Sequence, residues 1–288
     1  MEQILVTTVS SAGREVQIAR DRPTVLIGER INPTGRKRLA EALRAGELSL
    51  VAREVRAQVE AGADIVDINV GAAGVDEVRI LPLAVQTALE AADVPLSLDT
   101  TNPAALKAAL EMYPGKALVN SVNGEEGTLE RVLPLVREHG AAVIGLTMDG
   151  EGIPADPLKR LKIAERIVER AEREGIPRQD VLIDCLALTV GANPQAAQVT
   201  LEAIRLVARE LGVNQTLGVS NVSFGLPDRE VINLAFLALA LMNGVNCPIV
   251  DVAKVRPTVL AVDLLLGRDR YARRYIEAWR RRTRPGPA

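Results

Sequence analysis

Residues 64–100 read "DIVDINVGAAGVDEVRILPLAVQTALEAADVPLSLDT", and this stretch decides the fold. A short β-branched run at 64–71 is followed by helical periodicity over 78–91 and by a second apolar run at 95–100. A strand, a helix and another strand in this order predict two parallel strands joined by a helical crossover. The sequence therefore indicates an α/β fold in this region.

The same alternation extends in both directions along the chain. Predicted strands lie at 24–29, 64–71, 95–100, 117–122, 142–148, 181–187, 216–221 and 247–253. Predicted helices lie at 50–60, 78–91, 103–112, 128–139, 157–174, 194–211, 228–242 and 257–266. About eight strand and helix pairs over about 250 residues predict a single-domain (β/α)8 TIM barrel. An open doubly wound sheet is the alternative, but no G-x-G-x-x-G motif follows the first strand of this rhythm.

The two ends of the chain lie outside this rhythm. Residues 1–22 contain two short strand patterns, "QILVTTV" and "EVQIA", joined by a turn at Gly13, and this predicts an N-terminal β-hairpin extension. The barrel is then expected over 23–268. Residues 269–288 predict a basic C-terminal helix and tail.

Composition excludes several classes of protein. The 288 residues are 48% hydrophobic and 2% aromatic, with a net charge of −2, which is typical of a folded protein with no broad positive field. We therefore expect neither nucleic acid nor a membrane surface as a partner. The first residues lack the pattern of a secretory signal, so the cytoplasm is the expected location.

Polar residues interrupt the apolar runs where the strands end. They are Glu29, Asn32, Asp67, Asn69, Asp99, Asn102, Asn120, Asn123, Asp149, Asp184, Asn221 and Asp251. Barrel enzymes place their chemistry at this end of the strands. A buried carboxylate or amide without a partner costs about 1–3 kcal/mol. The set therefore predicts a shared ligand, although bonds among its members and to the backbone are the alternative for any single residue.

The chemistry of this set narrows the ligand. The strand ends contribute acids and amides but no cluster of Lys, His or Cys, which argues against a phosphate site, a Schiff-base lysine or a bound metal. Carboxylates accept hydrogen bonds and amides both accept and donate them. A flat, neutral heterocycle rich in N–H donors matches these groups, and a pterin fits. Asp99 and Asp184 are both candidates for its adjacent N–H and amino donors.

Seven motifs then resemble one family. They are "IGERINPTG" (27–35), "DIVDINVG" (64–71), "LSLDTTN" (96–102), "LVNSVN" (118–123), "AAVIGLTMDGEGIP" (141–154), "VLIDCL" (181–186) and "LGVSNVSFGLPDR" (217–229). They resemble the pterin-binding methyltransferases: the methyltetrahydrofolate:corrinoid/iron-sulfur protein methyltransferases and the folate-binding module of cobalamin-dependent methionine synthase. The resemblance runs from about residue 25 to about residue 266.

This resemblance implies a role for each matching residue. Asp99, Asn120 and Asp184 are expected to bind the pterin, Asn221 to lie near N5, and Arg229 to lie in the folate site. Four further residues match motif positions with a binding or scaffold role: Glu29, Asn32, Asp67 and Asn69. The methyl donor would be methyltetrahydrofolate, and the acceptor the Co(I) corrinoid, or cobalamin, of a partner protein. The family likeness also implies a homodimer packed through outer helices.

Asn221 is predicted to be catalytic for a chemical reason. A methyl group on a tertiary amine leaves only if the nitrogen gains a proton or a strong hydrogen bond as its bond to carbon breaks. A neutral asparagine can serve this nitrogen in either protonation state, so its interaction strengthens as charge develops. We expect the rate of methyl transfer to depend on this side chain.

Two other functions are alternatives. Dihydropteroate synthase shares the barrel and the pterin pocket, but it carries a Ser-Thr-Arg-rich loop after its second strand and a lysine at the end of its seventh. Here the loop reads "NVGAAGVDEVR" and the seventh strand is followed by Asn and Ser. The second alternative is a folate-binding scaffold subunit without activity.

Three further residues are interpreted as structural. Cys185 and Cys247 have no metal-ligand spacing and are expected to be reduced core residues, with Cys185 facing away from the barrel axis. His139, the one histidine, has no corrinoid-binding motif around it and is expected at the C-terminal end of a helix. The corrinoid would therefore belong to another protein.

Overall fold

The computed structural model describes residues 4–283, so the predictions for residues 1–3 and 284–288 lie outside the described residues. The strands are β1 (Thr7–Ser10), β2 (Glu15–Ile18), β3 (Ile27–Ile31), β4 (Ile65–Asn69), β5 (Leu96–Asp99), β6 (Leu118–Asn123), β7 (Ala142–Leu146), β8 (Val181–Asp184), β9 (Asn214–Thr216) and β10 (Ile249–Val250). The helices are α1 (Lys37–Ala45), α2 (Ser49–Ala61), α3 (Glu77–Ala91), α4 (Pro103–Met112), α5 (Glu126–Glu138), α6 (Pro157–Glu174), α7 (Ala196–Glu210), α8 (Arg229–Asn243), α9 (Val252–Leu265) and α10 (Arg273–Thr283). Short 3-10 turns lie at Arg178–Asp180, Val219–Ser223 and Arg270–Ala272.

Within residues 4–283, eight parallel strands form one sheet in the order β10-β3-β4-β5-β6-β7-β8-β9. The two edges of this sheet meet. A parallel bridge joins Gly218 to Ile249, and the amide of Ile249 donates to the carbonyl of Leu217 at 3.0 Å. The predicted (β/α)8 TIM barrel is therefore confirmed, together with its single domain and the separate N-terminal hairpin. The limits 23 and 268 stay a prediction.

The strands are apolar on both faces because both faces are covered. Leu96, Leu98 and Ile183 pack outward against the surrounding helices in the larger buried cluster. Ile65 and Leu182 point into the barrel, where a smaller cluster fills the interior. This double burial explains the nearly continuous apolar runs in the sequence.

The hairpin of β1 and β2 covers the N-terminal end of the barrel. Val9 and Ile18 are fully buried and belong to the cluster inside the barrel. The side-chain amide of Asn214, at the start of β9, donates to Thr7 Oγ1 at 2.8 Å and to the carbonyl of Ile18 at 2.9 Å. The hairpin therefore closes the end opposite to the one where the strand-end acids lie.

Several boundaries differ from the prediction. β9 ends at Thr216, and the next residues form the 3-10 turn Val219–Ser223 instead of continuing to 221 as a strand. The turn forms its own backbone bond, from the amide of Phe224 to the carbonyl of Asn221 at 3.2 Å, which strand pairing would exclude. The last helix of the barrel was predicted to start at Pro257, because proline is favoured at the first helical position. In the structure α9 begins at Val252, and Pro257 lies inside it.

The sequence did not predict helix α1, but it did predict the C-terminal helix α10. α1 was missed because its nine residues, rich in Arg and Lys, obscure the apolar stripe of Leu39 and Leu43. The basic C-terminal helix is present as α10, where Arg274 reaches the fully buried carboxylate of Asp263 at 3.0 Å. Within residues 4–283, none of the helices combines the length and hydropathy that a bilayer-spanning segment requires.

Candidate functional site

A cavity of about 640 Å³ opens at the C-terminal ends of the strands. Its lining residues from the predicted set are Glu29, Asn32, Asp67, Asp99, Asn120, Asn221, Arg229 and Asp251. They converge because parallel strands in a closed barrel all end at the same rim. The cavity is therefore the place where the sequence-predicted residues meet.

Acids and amides of the three consecutive strands β4, β5 and β6 pair on the floor of this cavity. Asn120, on β6, donates its side-chain amide to Asp67 Oδ1, on β4, at 3.1 Å. Asn69, the last residue of β4, donates in the same way to Asp99 Oδ2 at 2.7 Å, and its own Oδ1 accepts from the amide of Gly71. Each carboxylate keeps acceptor capacity beyond these bonds, since an ionised carboxylate has about four acceptor positions. Asn69 itself lines a smaller neighbouring cavity.

Burial and mutual repulsion raise the pKa of three carboxyl groups here. Burial is the largest cause for Asp67, whose pKa is raised further by Asp99 and Glu29. The pKa of Asp99 is likewise raised by burial, against the hydrogen bond from Asn69. Burial, and then Asp251, raise the pKa of Glu29 to about 7. A ligand that brings N–H donors would relieve this cost, because hydrogen bonds to the charged form stabilise it.

Asp184 occupies a different position from the other predicted acids. It ends β8 and is 5% exposed, but it is not among the lining residues of the cavity in the described chain. Its two oxygens accept from the backbone amides of Leu186 at 2.6 Å and Gly218 at 3.3 Å. Burial raises its pKa to about 6, against these two hydrogen bonds and the charge of Arg160. Asp184 thus lies behind Gly218, which does line the cavity.

Arg160, on α6, fixes the loop that follows β8. Its side chain is fully buried and donates to the carbonyls of Cys185 at 2.7 Å and Leu186 at 2.8 Å, and to Thr200 Oγ1 at 3.1 Å. Leu186 holds a left-handed conformation, with φ at 60°, which is costly for a leucine. Arg160 therefore stabilises the backbone that donates to Asp184.

Asn221 lies in the 3-10 turn Val219–Ser223 and is exposed at the mouth. Arg229, the first residue of α8, holds this turn: its Nε donates to Ser223 Oγ at 3.0 Å and its Nη2 to the carbonyl of Ser220 at 2.7 Å. Ser223 Oγ in turn donates to Asn233 Oδ1 at 2.7 Å. Arg229 also lies over the Phe224 ring, 5.7 Å from its centroid. The turn presents an amide side chain to the cavity on a braced backbone.

Some polar residues of the strand ends serve their own loops. Asn102 Oδ1 caps α4 by accepting from the amide of Ala104 at 3.0 Å, and Asn123 Oδ1 accepts from the amide of Glu125 at 3.0 Å. Asp149 accepts from the amide of Glu151 in a similar turn. Asn32 also forms such a turn, with Thr34, although it lines the cavity. Each of these four side chains therefore accepts at least one hydrogen bond from the backbone, which was the stated alternative to binding a ligand.

Several cavity residues were missed by the sequence reasoning. They are Arg30, Arg36, Ser220, Glu230, Asn233 and Lys254. Arg30 lies 3.7 Å from Asp251, and Lys254 lies 3.8 Å from Glu230. The position of three of them in the chain was the available signal. Glu230 and Asn233 fall in the first two turns of α8, which follows the turn Val219–Ser223, and Lys254 falls in the first turn of α9, directly after β10.

The residues interpreted as structural lie away from the cavity. Cys185 and Cys247 are free and fully buried, and burial raises the pKa of both thiols. Cys185 packs in the layer between strands and helices, as predicted from alternation. His139 follows the last residue of α5 at its C-terminal end, also as predicted. Within residues 4–283, no group of three or more His, Cys, Asp or Glu side chains is arranged to hold a metal ion.

The chain is thus a (β/α)8 barrel whose mouth presents buried acids and amides. The family described as pterin binding enzyme matches residues 28–251, and the chain belongs to this family. It is 34% identical over 263 residues to methionine synthase of Mycobacterium tuberculosis (strain ATCC 25618 / H37Rv), which covers 87% of this chain and 22% of that relative. The chain thus spans about a fifth of the length of this relative.

A second relative is matched over nearly its whole length. The chain is 29% identical over 266 residues to the methylcorrinoid:tetrahydrofolate methyltransferase of Eubacterium limosum, covering 89% of this chain and 96% of that relative. With the family match, these relatives confirm the predicted pterin-binding methyltransferase family.

Solved structures of dihydropteroate synthases share the fold. The enzyme of Stenotrophomonas maltophilia superimposes with a TM-score of 0.67 at 21% identity, covering 92% of this chain and 99% of that one. The enzyme of Yersinia pestis gives a TM-score of 0.66 at 19% identity, covering 91% and 99%. At these identities the likeness concerns the barrel alone.

Proposed function

We propose that this protein transfers the N5 methyl group of methyltetrahydrofolate to the Co(I) corrinoid of a partner protein. The observation that carries the proposal is the braced turn Val219–Ser223, which holds the amide of Asn221 at the mouth of a cavity floored by Asp67 and Asp99. The floor matches the donor-rich edge of a pterin, and the amide stands at the open side, where a methyl group could leave.

The acids and amides bind the substrate in this proposal. Asp99 accepts hydrogen bonds from the pyrimidine edge of the pterin, and the amide of Asn120 both accepts from this edge and donates to it. Asn69 orients Asp99, and Asp67 orients Asn120, through one hydrogen bond each between an amide and a carboxylate. Asp184 holds the backbone of Gly218 beside the ring. Glu29 and Asn32 line the same cavity. A pterin that donates to these carboxylates offsets the burial cost that raises their pKa values.

Asn221 acts on N5 in this proposal. Its side-chain oxygen accepts from a protonated N5, and its amide can donate to the nitrogen lone pair, so it assists as the bond from N5 to carbon breaks. The corrinoid supplies the Co(I) nucleophile that takes the methyl group. The reverse transfer, named for the Eubacterium limosum relative, uses the same contacts, since N5 then loses the proton that it gains in the forward direction.

The corrinoid belongs to a partner in this proposal. His139, the one histidine of the chain, lies at the C-terminal end of α5, on the side of the barrel away from the cavity. The mouth offers no imidazole to a cobalt ion, and its open side leaves room for a docking protein. The predicted homodimer is also part of the proposal: exposed apolar side chains on the outer helices, including Met242 and Leu265, are surface that a second copy would cover.

The test is a methyl-transfer assay under anaerobic conditions. The protein is mixed with methyltetrahydrofolate and free cob(I)alamin, and the Co(I) absorption is followed. Loss of this absorption with formation of methylcobalamin supports the proposal. Tight folate binding without transfer would favour the scaffold alternative, and condensation of a pterin pyrophosphate with p-aminobenzoate would favour dihydropteroate synthase.

A further inference from the structure

The loop between β8 and α7, residues 185–195, lies against the turn Val219–Ser223 that carries Asn221. We call residues 185–195 the β8 loop. Arg229 holds this turn from α8. The β8 loop holds the turn as a second support, and the loop has its own anchor in the buried side chain of Arg160. A path of hydrogen bonds therefore leads from α6 to the mouth of the barrel.

Two hydrogen bonds join the β8 loop directly to the turn and to the residue after it. The amide of Val190 donates to the carbonyl of Val222 at 2.9 Å. Thr189 Oγ1 donates to the carbonyl of Phe224 at 2.7 Å. These two carbonyls lie one and three residues after Asn221 in the chain, so the β8 loop fixes the main chain next to that side chain.

Asp184 provides a third link between the β8 loop and the turn. Its Oδ1 accepts from the amide of Leu186, inside the loop, and its Oδ2 accepts from the amide of Gly218, directly before the turn. One carboxylate thus joins the start of the loop to the start of the turn. Leu186 has a left-handed backbone, with φ at 60°, and a leucine keeps this costly conformation only where neighbouring groups hold it.

Arg160, on α6, supplies the groups that hold Leu186. Its Nη1 donates to the carbonyls of Leu186 and Cys185, at 2.8 and 2.7 Å. Its Nε donates to the carbonyl of Pro154, in the loop after β7, at 2.7 Å. Thr200 Oγ1, 3.1 Å from Nη1, lies 3.0 Å from the carbonyl oxygen of Leu186. One guanidinium therefore ties the loops after β7 and β8 to α6.

The environment of Arg160 is costly for a charged group. Its side chain is fully buried, and none of the carboxylates in residues 4–283 forms an ion pair with it. Burial lowers the pKa of its guanidinium, because the charged form loses hydration. A buried charge held by neutral acceptors recovers less of that lost hydration than a paired charge does. This cost is understandable if the loop geometry that Arg160 sets is needed at the mouth.

We propose that Arg160 is a positioning residue for methyl transfer: through the β8 loop it fixes the turn that carries Asn221, and so sets where this amide meets N5. The inference rests on the proposed function, because it gives the position of Asn221 a consequence for the rate. Arg160 is not among the described lining residues of the cavity, so it acts through other residues. A displaced amide loses part of the hydrogen bond that strengthens as the bond from N5 to carbon breaks.

The experiment compares the rate of methyl transfer with folate affinity. The rate is measured as single-turnover transfer to cob(I)alamin at saturating methyltetrahydrofolate, and the dissociation constant of tetrahydrofolate is measured by calorimetry. The test variant is Arg160→Lys, which keeps the charge but cannot reach the same acceptors with a planar fork. The matched control is Arg173→Lys, at an exposed position of the same helix.

A second variant serves in case Arg160→Lys impairs folding. Thr189→Val removes the hydroxyl that donates to Phe224 and that accepts from the amide of Gly191, at a position that is only partly buried. Thr189→Ser is its control, because serine keeps the hydroxyl.

We expect the rate to fall in both test variants. Arg160→Lys should lower it by about tenfold, since a small displacement of a reacting group is enough for such a loss. Thr189→Val should lower it by about fivefold, since it removes one link of the β8 loop to the turn. Folate affinity should change less than the rate, because the acids and amides on the floor of the cavity keep their bonds to each other. Both controls should behave as wild type.

A double-mutant cycle separates this role from a merely structural one. If Arg160 acts through Asn221, then Arg160→Lys should have little further effect on the rate in the Asn221→Ala background. A structural role would lower the rate by the same factor in both backgrounds. Amide hydrogen exchange adds a readout without turnover: the amides of Val190 and Gly218 should exchange faster in Arg160→Lys than in wild type.

The outcomes distinguish the inference from the proposed function. Wild-type rates in Arg160→Lys and Thr189→Val, or equal losses in the two backgrounds of the cycle, would overturn the inference while leaving the proposed function standing. Unchanged amide exchange in Arg160→Lys would overturn it as well. No methyl transfer by wild type would overturn the proposed function, and the inference with it.

Discussion

The two ends of the barrel differ in how fully their buried polar side chains are hydrogen-bonded within the chain. At the N-terminal end, Asn214 is 1% exposed, and both ends of its amide are used: Nδ2 donates to Thr7 and Ile18, and Oδ1 accepts from Asn246 at 2.7 Å. At the C-terminal end, Asp67 and Asp99 are held by one amide donor each and face a cavity. One end completes its hydrogen bonds within the chain, and the other keeps acceptors available.

The electrostatics follow the same division. The acids at the mouth have raised pKa values because burial is not fully compensated. Such an arrangement is costly for folding, and binding sites commonly retain costs of this kind. This difference supports the proposal that the N-terminal end serves stability and the C-terminal end serves a ligand. Substitutions at the two ends should therefore separate stability from activity.

The largest expected effect is on the rate. Asn221→Ala should lower methyl transfer at saturating folate by about 10²- to 10³-fold, because it removes a hydrogen bond that strengthens as N5 is released. The measurement is single-turnover transfer to cob(I)alamin. Asn243→Ala, at the other end of α8, is the control and should keep the wild-type rate. Unchanged turnover in Asn221→Ala would remove this residue from the mechanism.

The next effect is on stability. Asn214→Ala should lower the free energy of unfolding by about 2–4 kcal/mol, because it leaves polar groups of Thr7, Ile18 and Asn246 buried without partners. Urea unfolding measures this change, and Gln86→Ala, on the exposed face of α3, is the control. The folded variant should bind folate as wild type does. A loss of folate affinity with unaltered stability would contradict the division between the two ends.

The sequence predicted the barrel because strands buried on both faces leave continuous apolar runs, and crossover helices separate them at regular spacing. It also predicted that Glu29, Asp67, Asp99 and Asn120 meet, because parallel strands bring their ends to one rim. It did not predict that both carboxylate oxygens of Asp184 accept hydrogen bonds from backbone amides, those of Leu186 and Gly218. Such a bond depends on how two loops pack, and neither loop has a periodic pattern.

The missed cations have a related cause. Arg36 lies in a loop, and Lys254 lies on a helix whose start was placed too late because Pro257 was taken as its first residue. Side-chain direction in loops and first helical turns is set by tertiary contacts, such as the pairing of Arg36 with Glu54. The sequence therefore predicted the charged residues at the strand ends of the mouth, but not those in its loops and first helical turns.

A smaller effect, of opposite sign, is expected at Glu29. Burial raises the pKa of Glu29 from 4.5 to about 7, so its contribution to folding stability is full below about pH 4.5 and is lost as the pH rises through about 7. Glu29→Gln should therefore be more stable than wild type at about pH 8, by about 1–3 kcal/mol, with no difference near pH 4.

Urea unfolding at the two pH values measures the Glu29 effect. Glu90→Gln, on the exposed surface of α3, is the control, and its stability should follow wild type at both. Folate affinity of Glu29→Gln is expected to fall, since Glu29 lines the cavity. Equal stability of Glu29→Gln and wild type at about pH 8 would mean that the mouth carries no such cost.

The smallest effect tests how the mouth holds the side-chain amide of Asn221, which we propose is catalytic. Arg229 donates to both Ser220 and Ser223, so it fixes the turn that carries Asn221. Arg229→Lys keeps the positive charge but cannot make both bonds with a planar fork. We expect the rate at saturating folate to fall about fivefold, corresponding to about 1 kcal/mol, with less change in folate affinity. Arg209→Lys, on the exposed end of α7, is the control. A loss of folate affinity without a loss of rate would show that Arg229 holds the substrate and not the turn.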